Sequence, residues 1–291
     1  MNTFKRLLRH RGAAVGLVIV GAFVLAALFA HLIAPYDPLE GQLADRLQPP
    51  SPQHLLGTDY AGRDLFSRLI YGARLSLQVG LLTVGLALSV GTLWGAFSGY
   101  AGGLVDLLSM RVVDVLLAFP SLLLAILMIA ILGPSLTHAM LAVAIVAIPN
   151  YVRLVRSVVL SIKHQEFILA ARAVGAGTGR ILWRHVLPNV MAPVLVQATL
   201  GIAAAILETA GLSFLGLGAD ARTPEWGSML AHNKTYFRTA PWTMTYPGLA
   251  IMLVILGFNL LGDGLRDALD PQTSAKRVGL LARKALGSVS W

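Results

Sequence analysis

Cysteine is absent from the 291 residues of this chain, so neither a disulfide nor a thiolate metal site can form. Charged side chains are scarce as well. They make up 13% of the residues, about half of the share that a soluble domain usually carries. With 56% hydrophobic residues and a mean hydropathy of +0.71, the chain lacks the polar surface that water requires, and lipid must cover much of it.

Motifs for nucleotide binding and hydrolysis are missing too. There is no G-x-x-x-x-G-K-[ST] loop, so the chain should not hydrolyse nucleotide itself. It also lacks H-E-x-x-H and G-x-S-x-G, and its seven histidines include no pair at i, i+3 or i+4. We therefore expect a protein that is not an enzyme, with no metal site and no cofactor of its own.

Six apolar segments can serve as membrane spans, since about 20 helical residues cross ~30 Å of hydrocarbon. They are Ala13–Ala34, Leu75–Phe97, Val112–Leu132, Leu136–Val152, Val190–Glu208 and Trp242–Leu261. The first is longer than the ~7–15-residue core of a signal peptide, so we expect it to remain as an anchor. The sequence predicts an all-α, polytopic membrane protein with six transmembrane helices.

Most of the 23 Lys and Arg residues collect in three segments, and this asymmetry predicts the orientation. They are the N-terminal segment, the loop between the fourth and fifth spans, and the segment after the sixth. Because basic residues favour the cytoplasmic side, we expect both termini and that loop in the cytoplasm. The topology then accounts for the net charge of +9, and no nucleic-acid partner is expected.

Two outer segments are substantial. The first, residues 35–72, ends in the amphipathic stretch Arg63–Tyr71. On a helix, its apolar residues lie on one face and its polar residues lie opposite, namely Arg63, Asp64, Ser67 and Arg68. This pattern predicts a short helix lying on the membrane surface. The second, Ser213–Pro241, contains aromatic residues that suit an interfacial belt, namely Trp226, Tyr236 and Phe237, with Trp242 just after it.

The inner loop Arg153–Pro188 reads as a helical hairpin. A helix is predicted over Ile162–Ala173, and the glycines that begin at Gly175 break it. A second short helix follows over Arg180–Val186, and Pro188 fits the first turn of the fifth span. We expect Gly175 to end the first helix with a positive φ.

The hairpin resembles the coupling motif of ATP-binding-cassette import permeases, which reads Glu-Ala-Ala, three residues, Gly, nine residues, Ile, any residue, Leu-Pro. Five positions are in register here, namely Ala170, Ala171, Gly175, Leu187 and Pro188. Two positions depart from it, because Leu169 occupies the place of the Glu and His185 that of the Ile. The resemblance implies an ATPase-coupling surface made of Phe167, Leu169, Ala170, Ala171, Arg172, Gly175, Leu187 and Pro188.

Further stretches resemble the "C" permease of dipeptide, oligopeptide and nickel importers. They are Leu56–Gly80, Leu212–Gly218, Pro224–Met229 and Asn259–Pro271. The family implies the type I importer architecture, a homologous second permease, two ATPase subunits that bind ATP and Mg, an extracytoplasmic substrate-binding protein, and the plasma membrane of a bacterium or archaeon.

Peptides are the expected substrate. Nickel or another small solute in the same family is the alternative, and an ion-driven secondary transporter is the alternative from a different class. Inverted repeats and several acids at mid-membrane would mark the latter, and the sequence shows neither.

Acidic residues near the spans complete the candidates. Glu208, near the outer end of the fifth span, belongs either to the substrate pathway or a gate, or to a hydrogen bond near the interface. Asp114 is expected to pair with Arg111, three residues before it on the same helical face. A cluster after the sixth span should cap and tether the C-terminal segment, and it contains Asp263, Arg266, Asp267 and Asp270.

The chain divides into three predicted parts. Residues 1–73 comprise the N-terminal segment, the first span and the outer loop, and residues 74–264 form the permease core. Residues 265–291 form a cytoplasmic tail.

Reporter fusions test the predicted orientation. A reporter that works only in the cytoplasm should be active when it is joined after Arg172, because the basic loops stay inside. A reporter that works only outside the cytoplasm should be active when it is joined after Arg222. An extracytoplasmic signal from the Arg172 fusion would overturn the orientation.

Overall fold

The computed structural model describes residues 10–269, which are almost entirely helical and contain no strand beyond two isolated bridges. The predicted cytoplasmic residues Lys5, Arg6 and Arg9, and the tail from Asp270 onward, lie outside the described range. In chain order the helices are α1 (Arg11–Leu28), α2 (Ala30–Ile33), α3 (Leu65–Ala101), α4 (Gly103–Leu117), α5 (Ser121–Leu132), α6 (Leu136–Ile162), α7 (Glu166–Ala173), α8 (Thr178–Ile181), α9 (Leu187–Phe214), α10 (Trp226–Asn233) and α11 (Trp242–Leu269).

Five helical segments of the described chain are long and apolar enough to cross a membrane. They are α1, α3, α6, the run from α8 through α9, and α11. The pair α4 and α5 makes a sixth, bent by 89° at the break between its halves. The all-α architecture with six spans is therefore confirmed, provided that the bent pair counts as one span.

The third span is not the single helix predicted over Val112–Leu132. It breaks between α4 and α5, and Pro120 stands at the break as the residue before α5. Proline has no N–H to donate, and its ring disfavours helical geometry at the preceding Phe119. The chain therefore turns sharply here, and α4 lies across the direction of α5.

The second span is longer than predicted. No separate surface helix forms over Arg63–Tyr71, because α3 runs without interruption for 37 residues from Leu65. The polar side chains expected to face water are buried instead, with Arg68 only 2% exposed. The prediction of an interfacial helix was wrong because these polar groups bond to the outer loops rather than to solvent.

The last three spans also extend beyond their predicted ends. The fourth span continues through Pro149 to Ile162, so the first hairpin helix begins at Glu166 rather than Ile162. The fifth reaches Phe214 and the sixth reaches Leu269. The part boundaries proposed after residues 73 and 264 both fall inside continuous helices.

Glycines let α3 approach α6 closely. A Cβ added at Gly91 would lie 2.5 Å from the Cβ of Tyr151, and one at Gly95 would lie 2.5 Å from the carbonyl oxygen of Val152. Helices in lipid associate largely through such close packing of small residues. This stripe of glycine therefore fixes the distance between the second and fourth spans.

We expect Gly95→Ala to destabilise the protein by about 1–3 kcal/mol, because the added methyl group meets backbone that cannot yield. Gly85 lies on the same helix, where an added Cβ meets nothing within 4 Å, so Gly85→Ala should cause no loss. The thermal midpoint of the detergent-solubilised protein compares the two variants. Equal midpoints for both would show that the contact does not limit stability.

Candidate coupling and translocation sites

The glycine at the tip of the hairpin ends α7 as predicted. Gly175 has φ +83°, and its N–H donates to the carbonyl of Arg172 at 2.9 Å. The N–H of Ala176 donates to the carbonyl of Ala171 at 3.0 Å. These two bonds form the Schellman arrangement, in which a left-handed residue closes the helix. Glycine suits the position because it lacks the Cβ that disfavours this backbone region.

One face of the hairpin is anchored in the protein. Ile168, Ile181 and Val186 are almost fully buried. They join one apolar cluster with residues near the inner ends of α6 and α9, including Val159 and Val190. Burial of each such side chain is worth about 1.5–3 kcal/mol. The hairpin is therefore joined firmly to both helices that it connects.

Exposed apolar groups flank the buried Ile168 on either side of α7. Phe167 is 40% exposed and Leu169 is 49% exposed. The ring of Phe167 lies 6.3 Å from that of His185, so the two arms meet at this point. Among the other predicted coupling residues, Ala170, Gly175 and Pro188 are exposed and Leu187 is partly buried.

Two of the predicted coupling residues contact other parts of the permease. Ala171 is only 9% exposed and packs with the buried cluster. The guanidinium of Arg172 lies over the ring of Tyr100 at the end of α3, and its Nε donates to the Tyr100 hydroxyl at 3.2 Å. Arg172 therefore ties the hairpin to the second span.

Two ion pairs hold α4 against α6. Arg156 bonds Asp106 through two nitrogens, each 2.6 Å from a carboxylate oxygen, and the Ser98 hydroxyl donates to the same carboxylate at 2.8 Å. Asp114 bonds Arg153 at 2.6 Å. The prediction of a local Asp114–Arg111 pair was wrong, because the bend after α4 brings Asp114 beside α6.

Glu208 lies deeper than its predicted place near the end of a span, because α9 continues to Phe214. The Ser121 hydroxyl donates to its carboxylate at 3.4 Å. Ser121 begins α5, whose 12 residues measure about 18 Å. Glu208 itself lies six residues before the end of α9 at Phe214, or about 9 Å along the helix, so it is inside the span rather than at its end.

Comparison with known proteins gives a consistent result. A family model described as "Binding-protein-dependent transport system inner membrane component" matches residues 91–275, and one described as "N-terminal TM domain of oligopeptide transport permease C" matches residues 2–50. The chain is 54% identical to the dipeptide transport system permease protein DppC of Alkalihalophilus pseudofirmus, over 93% of this chain and 89% of the relative.

The chain belongs to the permease subunits of ATP-binding-cassette importers.

Other relatives agree with this membership. DppC of Escherichia coli K12 is 52% identical, with 91% of this chain and 90% of the relative covered. The glutathione transport system permease protein GsiD of Escherichia coli O1:K1 / APEC is 46% identical, with 92% and 89% covered. These relatives are transport subunits rather than enzymes.

A solved structure supports the architecture. The inward-facing MetNI methionine ABC transporter matches with a TM-score of 0.58 at 19% identity, over 70% of this chain and 96% of that chain. At this identity the likeness concerns the fold, and it confirms the type I importer architecture in a multi-pass membrane protein.

The two segments predicted to lie outside are tied together by Arg68. Its guanidinium donates to the carbonyl of Pro38 at 2.8 Å in one outer segment, and to that of Arg222 at 3.2 Å in the other. Asp59 is 3.5 Å from its Nε and also bonds Arg63 at 2.9 Å. Sequence reasoning missed this network, because it joins segments that are far apart in the chain.

The second outer segment is fixed by buried groups. Glu225 precedes α10, and its carboxylate accepts from the N–H groups of Gly227 and Ser228 at 2.9 and 2.8 Å. Burial raises the pKa of Glu225, and these two bonds oppose the rise. Trp226 is fully buried and donates to the carbonyl of Leu69 at 3.1 Å. Its expected place in an interfacial belt was therefore wrong.

We expect Arg68→Lys to destabilise the packing of the two outer segments by at least about 2 kcal/mol. A lysine ammonium cannot donate in two directions as a planar guanidinium does, so buried carbonyls lose their donors. Arg222→Lys is the matched control, because the Arg222 side chain is exposed. Trypsin added outside spheroplasts should cut at Arg46 faster in the Arg68→Lys variant alone. Equal cleavage rates would contradict this role for Arg68.

Proposed function

We propose that this permease forms half of a translocation pathway for dipeptides or short oligopeptides, and that its hairpin docks on a separate ATPase subunit. The observation that carries the docking proposal is the two-sided hairpin. One side is packed against the ends of α6 and α9, and beside it Phe167 and Leu169 remain exposed.

Docking at this hairpin converts ATPase motion into helix motion. When the ATPase dimer closes, a side chain seated in its surface must move with it. Ile168 and Ile181 link the hairpin to the apolar cluster that contains Val159 of α6 and Val190 of α9. Because packed interiors transmit displacement rather than absorb it, both spans shift together. The pathway between them then opens on one side at a time.

The peptide substrate is inferred from the relatives. Those that match over about nine-tenths of this chain are named for dipeptide, di/tripeptide and glutathione transport. A free peptide carries an ammonium and a carboxylate, so a pathway for it needs polar groups at depth. Glu208 supplies such a group in α9.

The remaining partners follow from the family. They are a second, homologous permease, two ATPase subunits that bind ATP and Mg, and an extracytoplasmic binding protein that delivers the substrate. The hairpin and both termini face the cytoplasm, and the segments tied by Arg68 face the binding protein. As in the family, the whole assembly belongs to the bacterial or archaeal plasma membrane.

Docking relies on packing rather than charge at Leu169. The family's Glu is replaced, so no ion pair can form at this position. An exposed ion pair contributes only ~0–1 kcal/mol, whereas burial of a leucine contributes about 1.5–3 kcal/mol. The interface is therefore stable without the missing charge.

Truncation of the exposed face tests this. Phe167→Ala and Leu169→Ala should each weaken ATPase association about tenfold or more, since each removes apolar area from the interface. Leu169→Glu, which restores the family residue, should retain association. Leu25→Ala in α1 is the control, because Leu25 is 55% exposed and lies far along the chain from the hairpin. Association is measured by co-purification from membranes.

Rising salt separates packing from charge. An apolar interface persists at salt concentrations that shorten the screening length below ~10 Å. If the complex dissociated completely at moderate salt and neither alanine variant weakened it, docking by packing would be contradicted. Such a result would favour a charged contact through Arg180, an exposed hairpin cation.

A further inference from the structure

Glu208 is an acid inside a membrane span, and it has no cationic partner in the described part of the chain. Its carboxylate accepts one long hydrogen bond from Ser121, and no basic side chain within residues 10–269 lies within 4.0 Å of it. The acids Asp106 and Asp114 of the bent span both have an arginine. A carboxylate at this depth is costly unless it has a partner or faces a polar cavity.

Open space adjoins the carboxylate. Ala204 and Gly211 lie one turn before and one turn after Glu208, on the same face of α9. A Cβ added at Gly211 would meet nothing within 4 Å, and Ala204 is exposed. The small residues on both neighbouring turns therefore leave this face of α9 uncovered within the described chain. Glu208 itself is partly buried, so part of its side chain stays exposed.

We propose that the Glu208 carboxylate binds the α-ammonium group of a peptide as it crosses the membrane. The inference rests on the proposed peptide substrate. It adds that this site binds the amino end of the peptide. The charges are complementary, and an ammonium carries three donors for a carboxylate that has only the Ser121 hydroxyl. Pairing neutralises both charges at a depth where either alone is costly.

The site is suited to transient binding. A transport pathway must bind its substrate well enough to admit it and weakly enough to release it. Because one side of Glu208 stays open, a bound ammonium is not enclosed. Ser121 follows the Pro120 break, so a shift of α5 relative to α9 changes the distance between the hydroxyl and the carboxylate.

Uptake by the complete importer tests the site. The permeases, ATPases and binding protein are reconstituted in liposomes, and entry of a dipeptide is compared with entry of its desamino analogue. Glu208→Gln should reduce dipeptide uptake about tenfold or more and leave uptake of the analogue unchanged. Glu208→Asp should retain partial uptake. Glu40→Gln is the control, because Glu40 is an exposed acid of the outer segment.

For each substrate, uptake by the wild type is divided by uptake by Glu208→Gln. A preference of the binding protein for one substrate affects both values equally, so it cancels in this ratio. An equal loss for both substrates, or loss of co-purification with the second permease, would overturn the proposal and make Glu208 a subunit contact. Equal dipeptide uptake by wild type and variant would overturn it too. If the wild-type importer took up no dipeptide, the proposed substrate itself would fail.

Zero-length cross-linking gives a readout that does not depend on uptake. A carbodiimide activates a carboxyl group, and a peptide amine that contacts it displaces the urea and forms an amide. Incubation of the complete importer with dipeptide and carbodiimide should give a peptide adduct at Glu208, detected by mass spectrometry. The desamino analogue should give none. Adducts confined to exposed acids such as Glu40 would overturn the contact.

Discussion

A charge that leaves water must find a partner, and this constraint organises the permease on both sides of the membrane. At one end of the helix bundle, Arg68 is buried and binds carbonyls from two segments that are far apart in sequence. At the other end, Arg156 holds Asp106 through two short bonds. Because unpaired charges are so costly in a low-dielectric setting, these contacts decide where the loops and the bent span must lie.

Glycine and buried aliphatic residues complete the frame that the ion pairs begin. The glycines of α3 let α6 approach it closely, and the cluster around Ile168 joins the hairpin to α6 and α9. Arg172 links the same hairpin to Tyr100 at the end of α3. A displacement of the hairpin is thus shared by three spans.

The features that the sequence predicted correctly depend on neighbours along the chain. Apolar runs indicated the spans, because hydropathy over about 20 residues decides insertion. Gly175 ended its helix with a positive φ, as expected from a residue that tolerates the left-handed region. The all-α class, the hairpin between the fourth and fifth spans and the family membership all follow from local patterns and spacings.

The features that the sequence missed depend on neighbours in space. The polar face of residues 63–68 resembles a solvated surface until Pro38 and Arg222 are brought to it, and Asp114 has Arg111 as its obvious partner until the 89° bend presents Arg153 instead. Glu208 acquires its depth from the continuation of α9 and the contact with Ser121. The sequence by itself determined which segments enter the membrane, since that choice depends on composition. Only the tertiary structure decided which charge meets which partner, since an ion pair depends on distance in space.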